Sequence, residues 1–531
     1  MSLRALKPLR VLVAVVFLAL TLGLFLDFRD LGARRIADGV LYLQFVPSLL
    51  RFLGNATLGA AGFLVVVALT LLFGRIYCST VCPFGTLQDA IRRLSDARWR
   101  IAGKKRPRYA FSKPHEAIRY ALLALTVLLL VGGSGLLLNL LDPFSNFGRI
   151  LSNLAEPVVL AANNLVAVVA ERLGIHAVYQ VPWPAVAPVS LGVALAMLLT
   201  AGWLSARHGR LYCNTLCPVG TLLGMVSKHA LFRLRINPTA CGNCGRCERV
   251  CKAGCIDFRK KTVDFSRCVG CGNCLAVCPD QALQLGRGQG KEPEAGTRSP
   301  GRRRFLIGLA ATGMGLTAPK AMAAPPPGFL QSRPTTIPEE RTGPVSPPGS
   351  QSVGHFTSRC TACHLCVAAC PSRVLVPAFL DYGLAGLMQP RMDFRSGYCN
   401  FNCTACSAIC PSGAILPLPR ERKQRIQVGT ARFVKENCVV HTDNTNCGAC
   451  SEHCPTKAVH MVPYLNMPDR KLVIPEVNET ICVGCGACEH ACPTRPYKAI
   501  YVRGNPVHKL AEKPAEKALE SAPATGEDFP F

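Results

Sequence analysis

The segment CVGCGNCLAVCP, residues 268–279, sets the reading of the chain. Its C-x2-C-x2-C-x3-C-P spacing lets one short loop place three thiolates around a cubane and offer a fourth to a neighbouring site. The segment just before it, CGNCGRCERVC at 241–251, repeats the spacing. In a two-cluster fold of this kind each cluster takes three cysteines from one run and the last from the other. Cys241, Cys244, Cys247 and Cys278 are therefore expected to hold one [4Fe-4S] cluster, and Cys268, Cys271, Cys274 and Cys251 a second. Lys252 stands where proline usually follows, so the leftover Cys255 competes with Cys251 for the fourth position.

Four more runs follow: Cys360, Cys363, Cys366 and Cys370; Cys399, Cys403, Cys406 and Cys410; Cys438, Cys447, Cys450 and Cys454; Cys482, Cys485, Cys488 and Cys492. Each ends in Cys-Pro, and together they match four further clusters, six in the chain. The expected pairing is first run with fourth and second with third. Cys360 to His364 also fits the C-x-x-C-H pattern for covalent haem, but haem would strand Cys366 and Cys370, so no haem is expected. His364 is read as a surface group or a neighbour of a ligand, and His441, His453 and His490 as solvated loop residues. The recurrence of this spacing among the 29 cysteines argues against a disulfide framework.

The first half is apolar. Four stretches are read as transmembrane helices: Val11 to Leu26, Phe52 to Gly74, Tyr120 to Leu141 and Ala185 to Ala206. A fifth run, Pro157 to Ala170, contains Asn163 and Asn164 and reads as interfacial or re-entrant. The formal charge of +28 would suggest nucleic acid in a soluble protein. Here the basic residues flank apolar stretches: Arg4, Lys7 and Arg10 before the first, Arg92, Arg93, Arg98 and Arg100 after the second, Arg207 and Arg210 after the fourth. They are read as setting topology, with these ends cytoplasmic and no nucleic-acid partner.

A repeat lies in this half. GRIYCSTVCPFGTLQD from Gly74 and GRLYCNTLCPVGTLLG from Gly209 agree at ten of sixteen positions, which implies two related helical hairpins. If the turn stays helical, the C-x3-C spacing puts both thiols of each copy on one face. Cys78, Cys82, Cys213 and Cys217 then read as buried structural thiols, as a redox dithiol, or as a four-thiolate site for an additional cluster or metal.

From Gly301, GRRRFLIGLAATGMGLTAPKAMAAPPP joins an arginine pair to a short apolar run and an A-x-A ending at Ala323, the pattern of a twin-arginine signal. The expected organisation is a four-helix transmembrane domain over 1–235, a two-cluster ferredoxin over 236–290, the signal or a fifth span over 298–324, an extended Pro-rich linker over 325–352, a four-cluster domain over 353–506 and a disordered tail over 507–531. The fold class is thus an α-helical membrane domain plus an α+β bacterial-type ferredoxin segment and a separate polyferredoxin domain.

With both CPxGTL repeats and the two-cluster segment in place, the first half resembles the NapH-type membrane ferredoxins, and the second half resembles the NapG/MauM ferredoxin-type proteins. The resemblance covers roughly residues 1 to 505, so the chain looks like a fusion of two usually separate partners. It implies an inner-membrane protein that takes electrons from quinol and delivers them to a periplasmic reductase, the four-cluster domain being periplasmic. Independently of the resemblance, His115, Glu116, Asp142 and His208 are candidate proton groups near the helices, each more simply read as interfacial. The rival expectation is a factor that supplies electrons for maturing or reactivating a metalloenzyme. The sequence contains no glycine fingerprint for a nucleotide, which disfavours an NAD-linked input.

Overall fold

The computed structural model describes residues 6–27, 33–54, 57–103, 109–181, 183, 187–287, 334–464 and 472–513. The twin-arginine-like segment and the start of the Pro-rich linker lie outside them.

In chain order the helical half comprises α1 (Leu6–Leu26), α2 (Ala33–Tyr42), α3 (Phe45–Gly54), α4 (Gly62–Phe73), α5 (Tyr77–Thr80), α6 (Pro83–Ile101), α7 (Glu116–Val131), α8 (Leu136–Leu141), α9 (Pro143–Ile150), α10 (Glu156–Arg172), α11 (Pro188–His208), α12 (Leu211–Thr215) and α13 (Pro218–Ser227). Three helices among the described residues are long and apolar enough to cross a membrane: Lys7–Leu26, Pro143–Arg172 and Pro188–His208. A fourth is added if Ile36–Tyr42 and Phe45–Gly54, bent by 94°, count as one.

The expected spans at Val11 to Leu26 and Ala185 to Ala206 correspond to α1 and α11, although Ala185 itself is outside the described residues. The other two do not hold as written. Phe52 to Gly74 is broken after Gly54, leaving α4 with 12 residues, about 18 Å of helix. Tyr120 to Leu141 is broken after Val131, where Gly133 takes a left-handed conformation (φ 80) that stops the helix. The fifth run is also corrected. Asn163 and Asn164 do not interrupt α10, because their side chains turn outward and bond the returning chain at Tyr179 O and Val181 O. Instead α9 and α10 form one length through a π-wound turn at Leu151–Ala155.

Two ferredoxin bodies occupy opposite ends of this bundle. The start of α1 lies against Gly272, and its end packs Phe25 on Phe144 beside the Cys363 turn. α4 ends against Phe265, whereas α11 begins beside Val376 and Pro377 and ends where Arg210 N donates to Lys252 O at 2.8 Å. The first body is closed by the antiparallel ribbon Phe232–Ile236 with Leu283–Arg287. In the second, Ile426–Phe433 pairs with Ile500–Leu510, and this ribbon contributes Val428 and Val502 to one core and Ala431 and Ile500 to the next.

The second ferredoxin body is packed on the helices. Leu24, Phe25, Phe144, Phe147 and Ile150 share one core with Cys363, Leu365, Ala368, Ala369 and Ile409. Glu156 forms a buried ion pair with Arg373 across the joint. The end of the Pro-rich linker is likewise packed: residues 345–350 are buried, and Val345 O and Gly349 O accept from Met392 N and Leu416 N. Proline removes donors but leaves carbonyls, so an irregular strap can be buried once those carbonyls are used. The start of the expected tail is instead part of the fold: the strand runs to Leu510 and Ala511 N donates to Arg425 O, and the tail's residues after 513 lie outside the described ones.

A Cβ on Gly148 would stand 2.2 Å from Cys363 O and 2.7 Å from the Phe25 ring. Gly148→Val is expected to weaken the joint by about 1–3 kcal/mol, seen as faster proteolytic release of the second ferredoxin body from the purified chain.

Candidate functional site

Every cysteine among the described residues is free of disulfide bonding, and the thiols gather in sets. Around the first ferredoxin, Cys247 lies within electrostatic reach of Cys241 and Cys244, and Cys278 packs in the same core. Cys251 lies among Cys268, Cys271 and Cys274, which is the crossed arrangement expected from the spacing. Cys255 Sγ is 3.5 Å from Cys251 Sγ and also contacts Cys268, so it borders the second set as an additional sulfur.

The second body corrects the expected pairing. Cys360, Cys363 and Cys366 face Cys410, while Cys399 and Cys406 face Cys370, so the first run partners the second. Cys438, Cys447, Cys450 and Cys492 line one cavity, and Cys482, Cys485 and Cys488 lie about Cys454, so the third partners the fourth. Sequential runs pair because the ribbon at Ile426–Phe433 separates the two halves, each with its own core.

These loops are shaped for an anionic group of several atoms. In four runs the residues two and four places after the first cysteine are left-handed: Asn243 and Gly245, Gly270 and Gly272, Ala362 and His364, Gly484 and Gly486. Alternation with left-handed residues turns successive N–H groups toward the thiols, a nest for negative charge. Burial pushes the Cys363, Cys450 and Cys485 thiols up to about 12, so they stay neutral unless a metal takes the proton's place. Among the described residues no three His, Cys, Asp or Glu side chains converge tightly enough for a single metal ion. The wider thiol sets fit a cluster, which would supply one-electron redox chemistry.

The two repeats meet between the ferredoxin bodies. Cys82 and Cys217 are not on one helical face with Cys78 and Cys213. α5 and α12 end before them, and each is the extended N-cap of the next helix, with Pro83 or Pro218 in its first turn. A residue before proline is pushed out of the helical region, which explains the departure. Arg75 and Arg210 then cross between repeats: Arg75 Nη2 donates to Cys213 O at 3.0 Å, and Arg210 Nη1 to Cys78 O at 2.9 Å. The glycines of the CPxGT motifs are required here, because a Cβ on Gly85 or Gly220 would stand 2.2 or 2.1 Å from those same carbonyls.

Asp89, the last residue of the first copy, is held by Arg10, Arg210 and Lys252. Burial works to raise its pKa, but Arg210 and Lys252 overcome that and leave the carboxyl well below its ordinary value. This explains Lys252 in the place of proline: it ties the first ferredoxin to α6.

At the other joint, a cavity of about 200 Å³ is lined by Ser152, Asn153, Glu156, Leu191, His364 and Arg373, among others. His364 is buried rather than at the surface; Nε2 donates to Met388 O at 2.9 Å and Nδ1 lies 3.4 Å from Asn153 Nδ2. Burial lowers its pKa to about 4, so the ring is neutral. His441, His453 and His490 bond Tyr464 Oη, Ala449 O and Phe394 O. Asp142 is the N-cap of α9, accepting from Ser145 N at 2.8 Å, and His208 lies beside Trp203. Glu156 and Arg373 were not singled out by the sequence reading. An acidic residue abutting the apolar run at Pro157 was the available signal.

Comparison with known proteins assigns iron–sulfur domains to most of these stretches. A family described as "4Fe-4S binding domain" matches residues 55–102 and 190–238, and a "4Fe-4S dicluster domain" matches 240–282, 398–458 and 445–495. The chain is thus a ferredoxin-type iron–sulfur protein. It is 24% identical over 274 residues to the ferredoxin-type protein NapH of Haemophilus influenzae, covering 50% of this chain and 77% of that one. It is 29% identical over 230 residues to the methylamine utilization ferredoxin-type protein MauN of Methylorubrum extorquens, covering 43% and 64%. The match to YccM of Escherichia coli strain K12 is 27% over 227 residues, 41% of this chain and 54%, about half, of that relative. No solved structure matches the chain.

The pairing is testable by a single substitution. Cys492→Ala is expected to remove the cluster of Cys438, Cys447 and Cys450 rather than that of its own run, lowering iron by about four atoms per chain. A Cys482→Ala, Cys492→Ala double variant should lose twice as much iron as either single variant.

Proposed function

We propose that the chain is an integral inner-membrane electron-transfer protein, a fusion of NapH-like and NapG/MauM-like parts, that oxidises quinol and passes electrons through six [4Fe-4S] clusters to a periplasmic redox partner. The observation that carries this reading is the cavity between α10, α11 and the Cys360–Cys366 turn. It is lined by apolar side chains with a few convergent polar groups, as pockets for small amphipathic ligands are. Glu156, Arg373 and His364 lie within it, and His364 directly follows Cys363 in the chain.

Quinol oxidation releases two electrons and two protons, and clusters in this site would take the electrons one at a time. The chain's own task is to position the ring and receive the protons. Glu156 is held as a carboxylate by its partner Arg373, so it is available to accept a hydrogen bond from a quinol hydroxyl and then its proton. His364 presents Nδ1 as an acceptor, because Nε2–H is committed to Met388 O. Basic residues Lys7, Arg10, Arg92 and Arg93 gather at the opposite end of the bundle, which favours that end as cytoplasmic and the cavity as periplasmic.

Anaerobic mixing of the purified chain with a quinol analogue is expected to reduce the clusters. Glu156→Gln should slow that step on the order of 100-fold while dithionite reduction remains complete. No reduction by any quinol would overturn the reading in favour of a maturation role.

A further inference from the structure

We propose that the space enclosed by the start of α1, α6 and the first ferredoxin binds the phosphate headgroup of an anionic phospholipid. The proposal rests on the helical half lying in a membrane, but neither on quinol being the donor nor on how many clusters the chain carries.

The cavity has a volume of about 590 Å³. Six basic side chains line it: Lys7 and Arg10 from α1, Arg92 and Arg93 from α6, Arg249 and Lys252 from the first ferredoxin. Among the described residues only two acidic side chains do so, and both are engaged: Asp89 by Arg10, Arg210 and Lys252, and Asp96 by Arg92. No ion pair between described residues involves Lys7, Arg93 or Arg249, and Arg249 Nη2 donates to a neutral carbonyl, Cys244 O, at 3.0 Å. Arg10 reaches Asp89 through Nη2 at 3.5 Å, whereas its Nε and Nη1, and the Tyr109 hydroxyl, are buried atoms with no hydrogen-bond partner among the described residues.

Buried donors without acceptors are costly, and like charges gathered in one enclosed place repel. An anion with several acceptor oxygens answers both conditions, and phosphate is a group that guanidinium forks fit. Asn273 and Val277, on either side of Cys274 in a short helix, complete the wall. The bound headgroup therefore joins the first ferredoxin to α1 and α6 and offsets the repulsion among their cations.

The surroundings favour a lipid over free phosphate. Val11 lines the cavity, and Val15, one turn further along the same face of α1, is 53% exposed. Leu94, beside Arg93 on α6, is 71% exposed, and Ile101, two turns on, is 88% exposed. Basic side chains next to exposed apolar ones match a headgroup with its acyl chains, and basic pockets at the cytoplasmic ends of membrane helices take such headgroups. Free phosphate would leave the apolar surface unused.

The test uses the full chain, purified in a neutral detergent and stripped of lipid. Native mass spectrometry is expected to show dioctanoyl phosphatidylglycerol retained at concentrations where dioctanoyl phosphatidylcholine is not, and the melting temperature should rise with the first lipid alone. Lys7→Gln, Arg93→Gln, which breaks no ion pair between described residues, should weaken phosphatidylglycerol binding roughly tenfold. Arg98→Gln, Arg100→Gln removes two charges from α6 outside the cavity and should leave binding unchanged. Equal retention of the two lipids, or equal loss in the two variants, would overturn the proposal. Inorganic phosphate displacing the lipid at equal concentration would also overturn it, assigning the site to a soluble anion. A chain that remains soluble without detergent fails the membrane reading and this proposal together, whereas one that needs detergent and yet does not discriminate between the lipids fails this proposal alone.

Discussion

One cysteine run can set three sulfurs about a point, and a cubane needs four. Each run therefore depends on a second one, and this dependence organises the molecule. It brings Cys251 to Cys268 in the first body and Cys370 to the Cys399 run in the second. It also sets a condition on folding. A thiol in an apolar interior stays protonated, and thiols facing one another across a gap contribute little cohesion, so the cores built around them are completed when iron binds. Burial that is unfavourable for a bare thiolate becomes favourable once the thiolate is a ligand.

The same logic separates the repeats from ordinary helical hairpins. The helix-breaking Cys-Pro steps, the glycines that admit a carbonyl at about 2 Å from a notional Cβ, and the crossed arginines act together to bring four sulfurs and two guanidinium groups into one apolar interior. Charges of one sign are not retained in such a place without compensation. Asp89 meets part of the demand for Arg210, Lys252 and Arg10, but it does not reach Arg75.

The cysteine runs were legible in the sequence because their spacing is local and chemically constrained, and the left-handed turns at Gly270, Gly272, Gly484 and Gly486 follow from it. The pairing of runs was not legible, since it depends on a ribbon whose strands are far apart in the chain, Ile426–Phe433 and Ile500–Leu510. Hydropathy located the apolar stretches but not their breaks: the end of α7 rests on Gly133, and the continuity of α10 through Asn163 and Asn164 rests on acceptors supplied by residues 179 and 181. Pro-rich composition suggested an extended linker, yet residues 345–350 are buried, because composition reports missing donors and not where carbonyls are used. Arg75 and Arg210 were within the quoted repeats, at equivalent positions; their role became visible only when each was seen to serve the other copy.

Docking of the second body on the helices changes what the linker must do. A domain held only by a tether would deliver electrons by diffusion, and its distance from the bundle would vary. Here Phe25, Phe144 and Phe147 pack against the Cys363 turn, Gly148 admits the Cys363 carbonyl, and Glu156 meets Arg373 across the joint. These contacts fix the distance between the repeats and the first run whatever the linker's length. The π-wound turn at Leu151–Ala155 shifts the helix register at the place where Asn153 must reach His364. Such a turn is usually kept where a side chain has to be re-aimed, and here it aims two helical residues into the cavity beside Cys363. The joint is therefore both the mechanical coupling of the two halves and the wall of the cavity, and a change that loosens one opens the other.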